Sequence, residues 1–420
     1  METQTDAVRL MNFEDSPEEA AYRRKCVTFL DAHARKRPAS HVRGYRRGED
    51  RPGVVASARA FQLKKFAAGF AGITWPKEWH GQGGTPIQQM IYDQEEAKYD
   101  TTVNAIGLQL GICIPTICRW GTQEQRDRFA PPALRGEEMW CQFYSEPAGG
   151  SDLGALRTRA VRDGDDWVVN GQKIWTSLAH EADWGVLVAR TNAEQPKHAG
   201  ITFFYLSTRT PGVDIRPIKQ MSGSSHFNEV FFTDVRIPDS QRLGPVDGGW
   251  KVAMSLLMGE RYSMNDDFGP SFRELLAFTR DLDWQGGKAI DDPAVQEKLA
   301  DFYVKSYGLR YTRYRIMTSL ARGETPGPES SIGKLVAASK IQEATSYALE
   351  LLGAGGIQAG DDMPLGGIFQ ESFLDSPALR IAGGTDEILR NTIGERVLGL
   401  PPEPRMDKGM PFKDVPTGKN

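Results

Sequence analysis

The chain has 420 residues, with 51 basic and 55 acidic side chains and a formal net charge of −4. This length allows two or three domains with a large core, and the charge balance argues against a nucleic-acid-binding surface. No stretch reaches the roughly 20 apolar residues that cross a bilayer, so no membrane span is expected.

The N-terminus and the cysteines indicate a cytoplasmic protein. Residues 1–20 are acidic and lack the basic and apolar regions of a signal peptide. The four cysteines form no C-x-x-C pair and the six histidines are scattered, so we expect reduced thiols and no metal site.

The first third of the chain, residues 1–138, is predicted to be a helical domain. Ser16, followed by proline and two glutamates, is typical of a capped helix start, and Thr122 begins a later helix with the same capping pattern. Residues 103–119 are apolar on nearly every side, which favours a buried helix.

Residues 139–243 have the pattern of a β domain. The longest apolar runs between turn residues lie at 183–191, 200–209 and 228–237. The dipeptides Asp163-Gly164 and Asn170-Gly171 favour tight hairpin turns. Many short strands of this kind predict a small antiparallel barrel or sandwich.

Helical periodicity returns over residues 244–398. Asp292 is expected to cap one long helix, and a second long helix over 329–352 is expected to end at Gly353. Residues 399–420 are rich in proline, lysine and glycine and predict a tail, or an arm over a neighbouring subunit. The order of helices, strands and helices predicts an α+β fold.

Two short strings do not carry the chemistry that they suggest. Residues 353–358 approach the G-x-G-x-x-G pattern but fail at its last position and follow a helix, so no Rossmann-type site is expected. Residues 331–334 match S-x-x-K, but the partner motifs of that class are missing, so a catalytic role is not expected.

Three other stretches indicate a flat, phosphorylated cofactor. Residues 143–154, FYSEPAGGSDLG, read either as a packed turn or as a loop of free N–H groups and hydroxyls around a planar or anionic ligand. Trp175, followed by Thr176 and Ser177, adds an aromatic ring and two hydroxyls at a strand end. Residues 381–390, IAGGTDEILR, contain a helix start that suits phosphate.

Together these stretches resemble the acyl-CoA dehydrogenase family. The resemblance covers about residues 16 to 400 and rests on five strings in the family's order: WPKEWHGQGG, WGTQEQRDRFAPPALRGE, FYSEPAGGSD, VVNGQKIWTS and GGTDEILRNTIGERVLG. It implies a helical N-terminal domain, a middle β domain and a C-terminal four-helix bundle. It also implies oxidation of an acyl-CoA thioester to the trans-2-enoyl-CoA, FAD bound without a Rossmann domain, and an electron-transferring flavoprotein as acceptor.

The resemblance assigns cofactor contacts residue by residue. The expected FAD contacts within one subunit are Phe143, Tyr144, Ser145, Gly150, Ser151, Trp175, Thr176, Ser177, Thr385 and Glu387. The segments around 144 and 176 would enclose the flavin ring, and Thr385 and Glu387 would meet the diphosphate or ribityl chain. Ser151 would also lie near the CoA, while Glu350 and Gly353 would reach the adenine half of an FAD in a neighbouring subunit.

The catalytic base is missing from its commonest place in the family. That glutamate stands just before the Gly-Thr of the last motif, where this chain has Gly383 preceded by Ala382. Either the chain has lost its base, or the base lies elsewhere. The family has a second location for it, on the first long helix after the β domain and just before an arginine, where this chain has Glu260 and Arg261.

Glu260 is the expected base. Ala253, Leu256 and Leu257 form an apolar stripe that leads to it, and a buried carboxylate has a raised pKa that suits proton abstraction. Arg261 would then contact the CoA phosphates or pantetheine.

Gly383 is expected to retain an oxyanion role, because the resemblance implies that its backbone N–H faces the thioester oxygen. The missing glutamate and aromatic side chains also widen the slot. A bulky, branched or polycyclic acyl group is therefore expected.

Residues 278–301 depart from the family pattern that holds the FAD of the next subunit. Arg280 and Gln296 are the only candidate equivalents of the usual residues. The oligomer is expected to be a homotetramer, or a heterotetramer with a homologous subunit. Two alternatives stay open: a non-catalytic or half-site subunit, and an acyl-CoA oxidase on the same scaffold.

Overall fold

The computed structural model describes most of the chain. The described ranges are 14–37, 53–101, 104–263, 269–270, 272–324, 327–358, 360 and 362–416, without the side chains of 104–105, 258–263 and 321. Among these residues, no helix combines the length and the apolar character that a membrane crossing requires.

The N-terminal domain is helical, as predicted. Its helices are α1 (Pro17–His33), α2 (Val54–Ala67), α3 (Pro86–Glu96), α4 (Asn104–Leu108), α5 (Ile114–Trp120) and α6 (Gln123–Arg135). Two short strands, β1 (Arg35–Lys36) and β2 (Tyr99–Asp100), pair antiparallel between them. The predicted capping boxes are confirmed: the side chain of Ser16 accepts from the Glu19 N–H, and that of Thr122 accepts from the Gln125 N–H.

The helix predicted over 103–119 is interrupted by one turn of π-helix, Gln109–Cys113, between α4 and α5. Pro115 lies just after this turn and has no N–H to donate to the carbonyl four residues earlier, so the α-helical ladder cannot be continuous there. The prediction of burial is confirmed, because Cys113, Ile114 and Ile117 are fully buried.

The middle domain is one eight-stranded sheet. Its strands are β3 (Trp140–Phe143), β4 (Arg159–Asp163), β5 (Asp166–Ser177), β6 (Trp184–Arg190), β7 (Ile201–Ser207), β8 (Val213–Ile218), β9 (Phe227–Pro238) and β10 (Arg242–Leu243). They lie in the order β10-β7-β6-β4-β5-β9-β8, with β3 beside β6. The pairing is antiparallel except that β3 and β4 each run parallel to β6, so the expectation of a wholly antiparallel domain needs that correction.

Only one of the two predicted hairpin turns forms. Asp163 and Gly164 lie at the turn between β4 and β5, with Gly164 at φ 63°. Asn170-Gly171, in contrast, lies inside β5, where the register opposite β9 shifts between Val169 and Gly171. The hairpin prediction at this dipeptide is wrong, because β5 continues through it: β9 pairs with β5 on both sides of the dipeptide, and the strand absorbs the glycine as a bulge.

The C-terminal part is helical. Its helices are α7 (Gly249–Ser263), α8 (Phe272–Asp281), α9 (Pro293–Ala321), α10 (Ser331–Leu352), α11 (Ile368–Ile381) and α12 (Asp386–Arg396). A two-stranded hairpin, β11 (Asp283–Trp284) and β12 (Gly287–Lys288), lies between α8 and α9. Asp292 caps α9 and Gly353 ends α10, as predicted.

The helices α8 to α11 enclose one core, which agrees with the expected four-helix bundle. Each contributes buried apolar side chains to it, among them Phe278, Phe302, Ala348 and Phe369. Helix α7 has a different environment. Its residues Val252, Ala253 and Leu256 share a core with the N-terminal helices and the sheet, so α7 joins the bundle to the other two domains.

The C-terminal arm, residues 399–416, lies on the middle domain of its own chain rather than only on a neighbour. Phe412 N–H donates to the Gln195 carbonyl at 2.9 Å, and the Phe412 ring centroid lies 3.8 Å from the buried Arg190 guanidinium. Asp407 forms an ion pair with Lys197. The arm is therefore part of the folded subunit.

Candidate active site

Two predicted cofactor segments of the middle domain are held side by side. The Ile174 N–H at the end of β5 donates to the Ser145 carbonyl at 2.9 Å. Lys173 Nζ donates to the Tyr144 carbonyl at 2.9 Å and to Glu146 Oε1 at 2.8 Å. The structure thus brings together the loop after β3 and the end of β5, which lie far apart in the sequence.

The Lys173–Glu146 ion pair is the buried support of this arrangement. Lys173 is fully buried, and Glu146 also accepts from the backbone N–H groups of Arg157 at 2.6 Å and Thr158 at 2.9 Å. Burial opposes ionisation of Glu146, but Lys173 and the two N–H groups outweigh it and lower the pKa of the carboxyl. Neither Glu146 nor Lys173 is among the predicted site residues. A lysine in the middle of a strand with one apolar face is nevertheless unusual and could have indicated a buried charge.

Trp175, Thr176 and Ser177 lie at the C-terminal end of β5. Trp175 has φ 61° and leaves 55% of its surface exposed, a strained backbone and an exposed ring that are both typical of a binding site. Thr176 is buried, and its Oγ1 has no hydrogen-bond partner among the described residues. A buried hydroxyl without a partner costs free energy, so Thr176 has the property expected of a ligand contact.

The loop after β3 divides into buried and exposed parts. Phe143 is fully buried against Phe232 in the sheet, with ring centroids 5.4 Å apart, so its side chain cannot line a ligand and only its backbone is available. Tyr144 is also buried, in contact with Phe203. Gly150 and Ser151 are exposed, as residues that meet a diphosphate or CoA must be.

These observations test whether FAD fits the residues present. The exposed indole of Trp175 and the buried Thr176 hydroxyl, which has unused hydrogen-bonding capacity, lie at the end of β5. The exposed Gly150-Ser151 pair lies in the loop after β3. A flat ring with polar edges and an attached diphosphate requires these groups, so FAD fits.

The second predicted cluster is the turn between α11 and α12. Gly383 and Gly384 have φ values of 66° and 97°, which favour glycine. Thr385 is the N-cap of α12, and its Oγ1 accepts from the Ile388 N–H at 3.3 Å. Glu387 is exposed in the first turn, where its own backbone N–H and the Thr385 hydroxyl lower the pKa of its carboxyl. The helix start offers N–H groups to an anion, whereas the Glu387 carboxylate needs a hydroxyl partner.

A charged group behind this turn was missed by the sequence reasoning. Lys334 Nζ donates to the Gly384 carbonyl at 2.7 Å and lies 3.8 Å from Asp386, a buried carboxylate that Arg380 contacts at 2.6 Å. Lys334 is the lysine of the S-x-x-K string, a local pattern that carries no information about a contact with a turn 50 residues away.

Helix α7 carries the predicted base. It runs unbroken from Gly249 to Ser263, with Ala253 and Leu256 buried and Leu257 half-buried. Glu260 and Arg261 stand on its backbone, but their side chains lie outside the described residues. The positions of those two side chains therefore stay predictions.

The residues predicted to reach a neighbouring subunit are exposed in this one. Arg280 lies in the last turn of α8 and Gln296 in the first turn of α9, and the β11–β12 hairpin separates them. Gln296 donates to the Ile290 carbonyl at 3.0 Å. Glu350 and Gly353 are exposed at the end of α10, where Glu350 accepts from Ser346 at 3.5 Å.

Comparison with known proteins agrees with this architecture. The models of the acyl-CoA dehydrogenase N-terminal, middle and C-terminal domains match residues 16–137, 141–235 and 247–398. The chain is 38% identical to the acyl-CoA dehydrogenase IpdE1 of Mycobacterium tuberculosis, over 82% of this chain and 88% of that protein. It is 39% identical to the acyl-CoA dehydrogenase FadE34 of the same organism over 78% of this chain, but the match spans only 44% of that longer protein.

Two solved structures are similar over nearly the whole chain. The ChsE4–ChsE5 complex from Mycobacterium tuberculosis matches with a TM-score of 0.77 and 30% identity, over 94% of this chain and 100% of the other. A steroid acyl-CoA dehydrogenase, Tcur3481–Tcur3483, matches with a TM-score of 0.77 and 26% identity over the same shares.

Proposed function

Because the chain belongs to the acyl-CoA dehydrogenase family, we propose that it oxidises the CoA thioester of a bulky, branched or polycyclic acid, with Glu260 as the base. The product is the trans-2-enoyl-CoA. FAD is the cofactor of this family, and when bound it supplies at N5 the acceptor for the hydride that leaves the β-carbon.

The observation that carries this proposal is the course of α7. The helix continues through position 260, one turn beyond the buried Leu256 and two turns beyond the buried Ala253. Glu260 therefore stands in register with the apolar stripe of α7, which supports its assignment as the base. The Glu260 carboxylate removes the α-proton as the C2–C3 double bond forms.

Gly383 supplies the complementary group. Its backbone N–H donates to the thioester oxygen, where negative charge develops as the α-proton leaves. Its positive φ suits glycine, and the position has no side chain that could act as base. The proposed base, Glu260, thus lies on α7, and the proposed oxyanion donor, Gly383, lies on the turn before α12.

Other residues of the chain position the reactants. Thr176 and Trp175 would contact the flavin ring, Thr385 and the start of α12 would hold its diphosphate or ribityl chain, and Arg261 with Ser151 would hold the CoA. Arg280, Glu350 and Gly353 contact the FAD of a neighbouring subunit. Their exposure in the described subunit supports this assignment.

The substrate class is proposed from the small residues at positions 382 and 383. Ala382 and Gly383 carry neither the aromatic ring nor the glutamate side chain that stand here in the commonest branch of the family. A relative that aligns along nearly the whole chain is described as a steroid acyl-CoA dehydrogenase. We infer a thioester on a steroid side chain, with reduced flavin reoxidised by an electron-transferring flavoprotein in the cytoplasm.

Substitution of Glu260 tests the proposal. Glu260→Gln keeps the shape of the side chain but removes the base, so we expect FAD to bind while the rate of flavin bleaching by a steroid-side-chain acyl-CoA falls at least about 10³-fold. Glu124→Gln, at an exposed carboxylate in α6, is the matched control and should bleach at the wild-type rate. Bleaching by Glu260→Gln at the wild-type rate would exclude Glu260 as the base.

The same preparation distinguishes a second candidate function, a half-site subunit of a complex. This candidate fits the β11–β12 hairpin within residues 278–301 and the likeness to the ChsE4–ChsE5 complex. A colourless wild-type chain that binds FAD only when co-expressed with a homologue would support this candidate. A yellow homotetramer that turns over alone would exclude it.

A further inference from the structure

Lys334 is a largely buried lysine in the first turn of α10 that the proposed reaction does not use directly. Its ammonium group donates to the Gly384 carbonyl at 2.7 Å and lies 3.8 Å from Asp386 Oδ1. Burial lowers the pKa of Lys334, and the Asp386 carboxylate opposes this effect. A lysine removed from water in this way needs specific partners, and both partners belong to the turn before α12 or to its first residue.

The partners of Lys334 are themselves held by other helices. Asp386 is buried and receives the Arg380 Nε of α11 at 2.6 Å. Arg380 also donates through Nη1 to Gln342 Oε1 of α10 at 2.9 Å. Side chains of α10 and α11 thus converge on the Asp386 carboxylate at the start of α12. Among these side chains, Lys334 also contacts the backbone of the glycine turn.

One hydrogen bond fixes the backbone of the turn at each of its two ends. On the α11 side, the Ala382 N–H donates to the Ala378 carbonyl at 2.8 Å. On the α12 side, Lys334 holds the Gly384 carbonyl. Between these two anchors stand Gly383 and Gly384, whose backbones have the widest conformational freedom of any residue type. The direction of the Gly383 N–H therefore depends on the anchors.

We propose that Lys334 is a positioning residue, which directs the Gly383 N–H toward the thioester oxygen by holding the Gly384 carbonyl. This inference rests on the proposed function, because it assumes that Gly383 is the oxyanion donor. A displacement of about 1 Å in such a donor is enough to lower the rate about 100-fold. Lys334 acts through the backbone of the turn and need not touch the substrate.

Lys340 offers a matched control for a merely structural role. It lies on the same helix and is more deeply buried than Lys334, but its ammonium group contacts Ser306 of α9 at 3.4 Å. Replacing either lysine by methionine removes a buried ammonium group from α10. Only Lys334→Met removes the anchor of the turn.

The test measures the oxyanion hydrogen bond itself. The probe is a CoA thioester of a steroid side chain that already carries the trans-2 double bond, bound to the FAD-loaded enzyme. Raman difference spectra report its carbonyl stretch, which a hydrogen bond from Gly383 shifts to lower frequency. We expect Lys334→Met to lose most of this shift, and kcat to fall about 10- to 100-fold with KM changed less than about threefold.

Two further variants complete the experiment. Lys340→Met should keep the carbonyl shift of the wild type even if its melting temperature falls. Lys334→Arg retains a cationic donor and should recover part of both the shift and kcat. A full carbonyl shift in Lys334→Met would overturn the inference. Absence of any shift in the wild type would instead overturn the oxyanion role of Gly383, whereas the Glu260→Gln experiment tests the proposed reaction separately.

Discussion

At the scale of single residues, Thr176 is the clearest mark of a ligand. Its hydroxyl is buried and has no partner among the described residues, whereas its carbonyl accepts from Asn228 at 2.9 Å. In a site made only for stability, such a hydroxyl would be replaced by a methyl group at little cost. Its retention is explained if the flavin supplies the missing partner.

Thr176→Val tests this explanation, because valine has nearly the same shape without the hydroxyl. We expect the flavin-free protein to be as stable as the wild type or slightly more stable. The affinity for FAD should fall about tenfold, which corresponds to one hydrogen bond of about 1.4 kcal/mol. Titration of the stripped protein with FAD and thermal unfolding without it measure the two quantities. An unchanged affinity would contradict a contact between this hydroxyl and FAD.

At the scale of elements, the Glu146–Lys173 pair connects the loop after β3 to β5. Neither partner is exposed to water, so removing one leaves an unpaired buried charge. The pair also makes stability depend on pH. The folded-state pKa of Glu146 lies below its ordinary value of 4.5, so its contribution is fully present above pH 4.5 and is lost as the pH falls through the lowered folded value.

Glu146→Gln should therefore lower the free energy of unfolding by about 3–5 kcal/mol at pH 7 and weaken its dependence on pH below 4.5. The double variant Glu146→Gln/Lys173→Met removes both charges and should recover a large part of that loss. Urea unfolding followed by tryptophan fluorescence between pH 7 and acid measures both effects. Equal stability of the single and double variants would show that the unpaired lysine is not the cause.

At the scale of the whole molecule, the features that join the domains include α7 in the shared core and the C-terminal arm on the middle domain. The arm is held by Phe412 over Arg190 and by Asp407 on Lys197. Lys197 also contacts Asp152 at 2.8 Å, next to Ser151 of the proposed CoA contact. The arm therefore supports the edge of the proposed substrate site.

Phe412→Ala should loosen the arm, since the cation–π contact is worth about 1 kcal/mol and the ring is half-buried. We expect trypsin to cleave after Arg405 or Lys408 about fivefold faster than in the wild type. Met406→Ala changes an exposed residue of the same segment and is the control. Equal cleavage of both variants would mean that Phe412 does not hold the arm.

Local signals made most of the fold predictable. The capping boxes at Ser16 and Thr122, the helix stop at Gly353 and the turn at Gly164 all depend on neighbours within a few residues. The candidate FAD residues were found by resemblance to motifs, which are also short. In contrast, the hairpin prediction at Asn170-Gly171 is wrong because β9, a strand more than 50 residues away in the sequence, pairs with β5 on both sides of that dipeptide.

By itself, the sequence determined the order of the domains, the family resemblance and the absence of a glutamate at position 383, because each is a property of the chain read in order. Only the tertiary structure decided that Lys334 holds the turn at Gly384, 50 residues away, and that Lys173 joins the loop after β3 to β5. It also decided that the arm returns to its own middle domain. These contacts depend on burial and pairing between distant segments, and local patterns carry no information about which distant group will be the partner.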